Sequence, residues 1–116
     1  MNMQEGRFID VSDEDFDREV LESDLPVLVD FWAPWCAPRR TAAPMLARIA
    51  NAHKGKLKLC RLNVSEERQT AFRYHVNNIP RLYIFKGGQV VAQVVGLTST
   101  YESDIKDKIE PYLDER

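Results

Sequence analysis

Cys36 is the residue of this sequence best placed for chemistry. It follows an apolar run, Val27 to Trp32, and opens a stretch with helical spacing from about Cys36 to Asn51. Strand-to-helix turns at the carboxyl ends of central strands are where α/β folds gather their sites. A sulfur at a helix amino end meets the partial positive charge of free amide groups, which favours thiolate over thiol. Arg39 and Arg40 follow closely and add full positive charge beside the same sulfur. Both effects lower a thiol pKa, so the pattern predicts a nucleophilic Cys36 at neutral pH. The competing expectation is a buried structural cysteine. Trp32, Pro34, Trp35 and Pro38 weigh against it, because they flank Cys36 as a stiff aromatic rim and not as a core element. Asp30 is the one charge inside the apolar run, which otherwise suits a strand covered on both faces.

Positioning such a thiol requires a sheet, and the chain supplies one. Arg7 to Val11 reads as an edge strand, and Ser12 before Asp13, Glu14 and Asp15 reads as a helix start. Phe16 and Val20 give that helix a buried face, and Pro26 ends the connection before Val27 to Trp32. In the helix after Cys36, Thr41, Met45, Leu46 and Ile49 share a stripe. Pro38 fits a first turn, whereas Pro44 predicts a kink. Leu57 to Val64 alternates as a strand, with Leu57, Leu59 and Arg61 on one face and Cys60 and Leu62 on the other. Ser65 is expected to cap a short helix reaching about His75. Arg81 to Phe85 and Val90 to Val95 form a hairpin through Lys86-Gly87-Gly88-Gln89. Ser99 with Glu102 reads as a capping box for a last helix striped by Tyr101, Ile105, Ile109 and Tyr112. The order β-α-β-α-β-α-β-β-α implies an α/β fold, a mixed central sheet with helices on both faces.

One domain accommodates all 116 residues. A composition 44% hydrophobic and 29% charged excludes a disordered chain, and the lack of a long apolar run excludes a membrane span. The first ten residues hold no secretory signal, so the expected compartment is the cytoplasm. Two cysteines are too few for a disulfide framework or a structural zinc site, and His53 and His75 lack metal-ligand spacing. No metal or cofactor is expected. Lys54, Lys56 and Lys58 read as a solvated strand edge, with no nucleic-acid motif beside them. The net charge of −2 conceals an asymmetry: two basic and ten acidic residues precede Phe31, and eleven basic face two acidic from Phe31 to Thr100. A site built in the middle segment favours anionic partners, unless the acidic ends pack beside it and cancel its field.

The stretch Val27-Leu-Val-Asp-Phe-Trp-Ala-Pro-Trp-Cys36-Ala-Pro-Arg39-Arg40 resembles the active-site segment of the thioredoxin family. Ala43-Pro44-Met45, Arg61-Leu-Asn63, Asn78-Ile79-Pro80, Phe85-Lys-Gly-Gly88 and Gly96 match as well, so the resemblance runs from about Phe8 to Leu113. It implies the thioredoxin fold and chemistry at Cys36. One departure matters: the family motif is Cys-x-x-Cys, and Arg39 occupies the second cysteine position. In the family mechanism the first thiolate attacks a substrate disulfide and the second thiol resolves the mixed disulfide. Without that second thiol, resolution falls to an outside thiol. Cys60 is mid-strand and points away from the face carrying Arg61, so it is not expected to take over. Arg39, as a permanent cation, favours Cys36 thiolate both as attacking and as leaving group.

The resemblance also implies roles for other positions. Asp30 matches the buried acid beneath the site, a proton relay for the second thiol in the family. With Arg39 in place, a structural Asp30–Arg61 ion pair is the stronger expectation. Pro80 matches a cis proline facing the active cysteine, which exposes the Ile79 backbone to an extended substrate strand. Trp35, Ile79, Pro80 and Gly96 would line that groove. Arg81, where the family usually carries threonine, could complete a cationic ring with Arg39 and Arg40 around Cys36. The expected function is monothiol thiol–disulfide exchange with disulfide- or thiol-containing proteins, acidic ones favoured, and with glutathione as a candidate small partner. The alternative is a redox-inactive peptide-binding or chaperone-like module on the same groove. A glutaredoxin-like, cluster-binding role fits less well with Trp32 to Cys36 and Ile79-Pro80.

Overall fold

The computed structural model describes residues 8–35, 38–95 and 100–113, the side chains of residues 38–42 excepted. Among them a sheet of five strands runs in the order β1-β3-β2-β4-β5. The strands are β1 (Ile9–Asp10), β2 (Val27–Trp32), β3 (Lys58–Asn63), β4 (Arg81–Lys86) and β5 (Gln89–Val95). β1 and β2 both lie parallel to β3, whereas β4 runs antiparallel to β2 and β5 antiparallel to β4. Helices α1 (Pro38–Ala52), α2 (Arg68–Arg73) and α3 (Tyr101–Leu113) complete the element order read from the sequence.

Strand alternation sorts the core into two layers. Leu28, Leu59, Leu82 and Ile84 face α1 and α3, where they meet Leu46, Ile49, Ile105 and Ile109. Val27, Val29, Phe31, Cys60, Leu62, Tyr83 and Phe85 face the other way and pack with Phe16, Val20 and Tyr74. On that second face the aromatic rings meet edge-on, Phe31 with Tyr83 at 5.0 Å and Tyr74 with Phe85 at 5.3 Å between centroids. Such contacts add to the hydrophobic gain from burying each ring.

The glycine hairpin forms as read, with Gly87 and Gly88 at φ 62° and 83°, the left-handed values that a two-residue turn between twisted strands requires. At Gly88 a side chain would also crowd the Leu21 carbonyl, 3.3 Å from where its Cβ would stand. Pro44 sits inside α1, as expected from the sequence. The Ser99 half of the capping box lies outside the described residues.

Four expectations need correction. The segment after Ser12 starts with reciprocal Ser12–Asp15 bonds, but its helical part is a short π-helical turn, Asp17–Leu21. Ser65 does not cap α2. Its amide and hydroxyl both donate to Asn63 Oδ1, at 2.9 and 2.6 Å, closing a turn. The cap comes from far along the chain: Asp13 carboxylate oxygens accept the amides of Gln69 and Thr70, at 3.2 and 2.8 Å. Lys58 is not a solvated edge residue, since its side chain is largely covered and paired with Glu19. Its ammonium donates to the Glu19 carbonyl at 2.6 Å and to the Glu19 carboxylate at 2.8 Å. That bond and charge hold the Glu19 carboxyl below its ordinary value. Finally, the ion pair that Arg61 makes is with Asp10, at 2.6 Å, and not the pair with Asp30 expected above.

Candidate functional site

Three stretches of backbone converge at one end of the sheet. Phe31, near the end of β2, is the register partner of Arg81, the first residue of β4. Arg81 in turn faces Val95, the last residue of β5. The turn carrying Trp35, the loop carrying Ile79 and Pro80, and the end of β5 at Val95 therefore lie at the same end of the sheet. The Ile79–Pro80 peptide bond is cis. Cys36 and Gly96 lie outside the described residues, as do the side chains of Arg39 and Arg40. Trp35, directly before Cys36, is 71% exposed, in keeping with a rim position.

Arg81 also ties down the loop that precedes it. One guanidinium nitrogen donates to the His75 carbonyl at 3.2 Å and another to Asn78 Oδ1 at 2.9 Å. Two of its donors thus hold the 75–78 loop; the side chains of Arg39 and Arg40, the other members of the expected ring, lie outside the described residues. The loop needs such a tie, because His75 adopts φ 57°, a left-handed backbone uncommon for a residue with a side chain.

Asp30 is buried, 6% exposed, on the sheet face shared with Leu28 and therefore toward α1. Its register partner is Arg61, whose guanidinium lies over Phe8 at 5.0 Å and over Trp32 at 5.4 Å while paired with Asp10. Contact with two aromatic rings and with a carboxylate is a good setting for a guanidinium.

Cys60 matches its reading closely. It is fully buried in the layer away from α1, the helix that follows Cys36 in sequence. Burial pushes its thiol up to about 12. Lys58 pulls the other way, against Glu19 and Asp15. A thiol in that state is neither a nucleophile nor a resolving group at neutral pH.

One feature escaped the sequence reading. A groove of about 600 Å³ opens beside Trp35 and is bounded by α2 and the following loop, with Arg68, Ala71, Phe72, His75 and Val76 among its lining residues. Phe72 is 83% exposed. The available signal was a phenylalanine in a six-residue helix whose buried positions, Thr70 and Ala71, lie just before it.

A family model described as Thioredoxin matches residues 7–111. Among curated relatives, Thioredoxin 1 of Nostoc sp. is 54% identical over 86 residues, covering 74% of this chain and 80% of its own length. Thioredoxin of Synechocystis sp. is 48% identical over 103 residues, covering 89% of this chain and 94% of its own. Thioredoxin of Pseudomonas aeruginosa is 42% identical over 106 residues, covering 91% and 93%.

Proposed function

The chain belongs to the thioredoxin family, and on that footing we propose that it carries out thiol–disulfide exchange through Cys36 alone. The observation that carries this reading is the state of the other cysteine. Cys60 is sealed in the far layer with its thiol pushed up to about 12, so it offers no second sulfur. Arg39 stands in the sequence where the family motif has its resolving thiol.

The reaction runs in two exchanges. The Cys36 thiolate attacks one sulfur of a substrate disulfide. A Cys36–substrate disulfide forms, the original bond breaks, and the other substrate sulfur leaves as thiolate. An external thiolate, glutathione or a protein thiol, then attacks the substrate sulfur of the mixed disulfide. Cys36 departs as thiolate, and the external thiol is now joined to the substrate. One disulfide is consumed and one is made, with no net electron transfer. Arg39 and Arg40 favour the anionic form of Cys36 in both steps, as nucleophile and as leaving group.

Trp35 and the Ile79–Pro80 backbone hold the substrate segment beside the thiolate, and Gly96 allows its close approach. Asp30 serves as a buried structural acid under the site. Partners are disulfide-bearing proteins, and the free thiolate requires a reducing compartment, which we take to be the cytoplasm. No helix among the described residues is long and apolar enough to cross a membrane.

Intact-protein mass after exposure to oxidised glutathione tests the reading. One glutathione adduct is expected, absent in Cys36→Ser and removed by added thiol. An unmodified protein would refute it.

A further inference from the structure

At 6 residues, α2 is too short to persist as a helix on its own, so it depends on what it touches. Its apolar hold is slight: only Thr70 and Ala71 are buried, and Phe72 is left exposed. The contacts on its two sides differ in kind. At its start, Glu67 occupies the N-cap position but makes no capping bond with its own side chain. Asp13 caps instead, accepting the Gln69 and Thr70 amides, while Glu67 accepts the amide of Asp13. Asp17 also pairs with Arg73 at 3.1 Å, but both side chains stand in solvent, where such pairs contribute little. The chain just past the helix is fixed by other means. Tyr74 packs on Phe16 and Phe85, and its carbonyl accepts the Tyr83 hydroxyl at 2.7 Å. On the near side, Ser65 closes its turn on Asn63 without help from α2.

We propose that α2 is a strap that opens on its own, pivoting between the Asn63 turn and Tyr74, with the Asp13–Glu67 bonds as its clasp. Opening breaks those bonds and the Arg73–Asp17 pair and exposes Thr70 and Ala71. It leaves Tyr74 and the aromatic layer beneath it in place. Segments with few buried apolar contacts are the ones that open below the cost of global unfolding. Arg68, Ala71 and Phe72 line the groove beside Trp35, so opening withdraws one wall of that groove. The surface next to Trp35 therefore has two forms, and Asp13 sets their balance. The device is independent of the chemistry at Cys36.

The test is native-state amide hydrogen exchange on the full chain, resolved by residue in rising, sub-denaturing urea. The reporters are the Ala71 and Tyr74 amides, whose acceptors, the Glu67 and Thr70 carbonyls, no variant alters. In the parent they should exchange faster than the amides of β2 and with little dependence on urea, whereas β2 follows the slope of global unfolding. Asp13→Ala should speed the reporters about fivefold, the loss of one N-cap. Asp13→Asn keeps an accepting oxygen and should stay near the parental rate. Tyr83→Phe removes a bond that the open form retains, so it should speed exchange in β2 and leave the reporters unchanged. Reporters that share the urea slope of β2 in the parent overturn the proposal. So do parental reporter rates in Asp13→Ala, or an acceleration by Tyr83→Phe equal to that by Asp13→Ala.

Discussion

Asp13 caps a helix that begins more than fifty residues later, its carboxylate accepting the Thr70 amide at 2.8 Å while Glu67 accepts the amide of Asp13 at 2.8 Å. The exchange is reciprocal, like a capping box, but its halves lie more than fifty residues apart in sequence. It fastens α2, and with it Arg68 and Phe72, to the segment ahead of β2. Asp13→Ala should cost about 1 kcal/mol, the usual value of an N-cap, measured as a shift in the urea midpoint at unchanged slope.

The same carboxylate predicts a pH dependence. Burial acts to raise the Asp13 pKa, but bonds from the Thr70 hydroxyl and from the Thr70 and Gln69 amides outweigh it, leaving the group below its ordinary value of 3.8. A carboxyl lowered on folding stabilises the native state fully above its unfolded pKa. That contribution is lost as pH falls through the folded value. Stability of the parent should therefore decline below about pH 4 more steeply than that of Asp13→Asn, as acid titration of the two proteins would reveal.

The two cysteines should part company under alkylation. Native protein treated with iodoacetamide near neutral pH is expected to take one label, at Cys36, and a second only in denaturant, because burial holds the Cys60 thiol at about 12. Cys60→Ala should keep the glutathione reaction. Cys60→Ser should keep it too while losing about 1–3 kcal/mol of stability, since it buries a hydroxyl among apolar side chains. Peptide mapping and denaturant curves check both points.

Restoring the missing thiol should restore self-resolution. Arg39→Cys is expected to reduce a peptide disulfide in single turnover and to finish with an internal disulfide, whereas the parent halts at the mixed disulfide until a thiol is added. Quenched reactions resolved by mass distinguish the two end states.

Arg81→Ala should release the loop that precedes Ile79. Two hydrogen bonds, to the His75 carbonyl and to Asn78, are lost, for a cost of about 1–3 kcal/mol. Faster amide hydrogen exchange confined to residues 75–79 would locate the effect.

The sheet was legible because each strand carries its own pattern. The alternation of Leu57, Leu59 and Arg61 against Cys60 and Leu62 assigned both faces of β3 correctly, and the two glycines defined the hairpin. What stayed hidden involves partners distant in sequence. Ser65 looked like a cap on local grounds, but its hydroxyl closes a turn on Asn63 and the helix takes Asp13 instead. Arg61 was assigned to Asp30 by the resemblance, yet β1 on the other side of β3 brings Asp10 to its guanidinium. The π-helical turn at Asp17–Leu21 leaves the same residues buried as an α-helix would, so periodicity could not distinguish them. The groove beside Trp35 went unseen because its walls come from a turn and a helix that no short-range pattern links.

The division of the core by the sheet has a consequence for how this molecule can change. Ile49 and Ile105 lie on one side of a wall of strands, and Phe16 and Tyr74 on the other. Replacements separated by that wall share few neighbours, so their energetic effects should combine independently. Replacements on the Phe16–Tyr74 side can then accumulate by descent or by design without retuning the layer that carries α1 and α3.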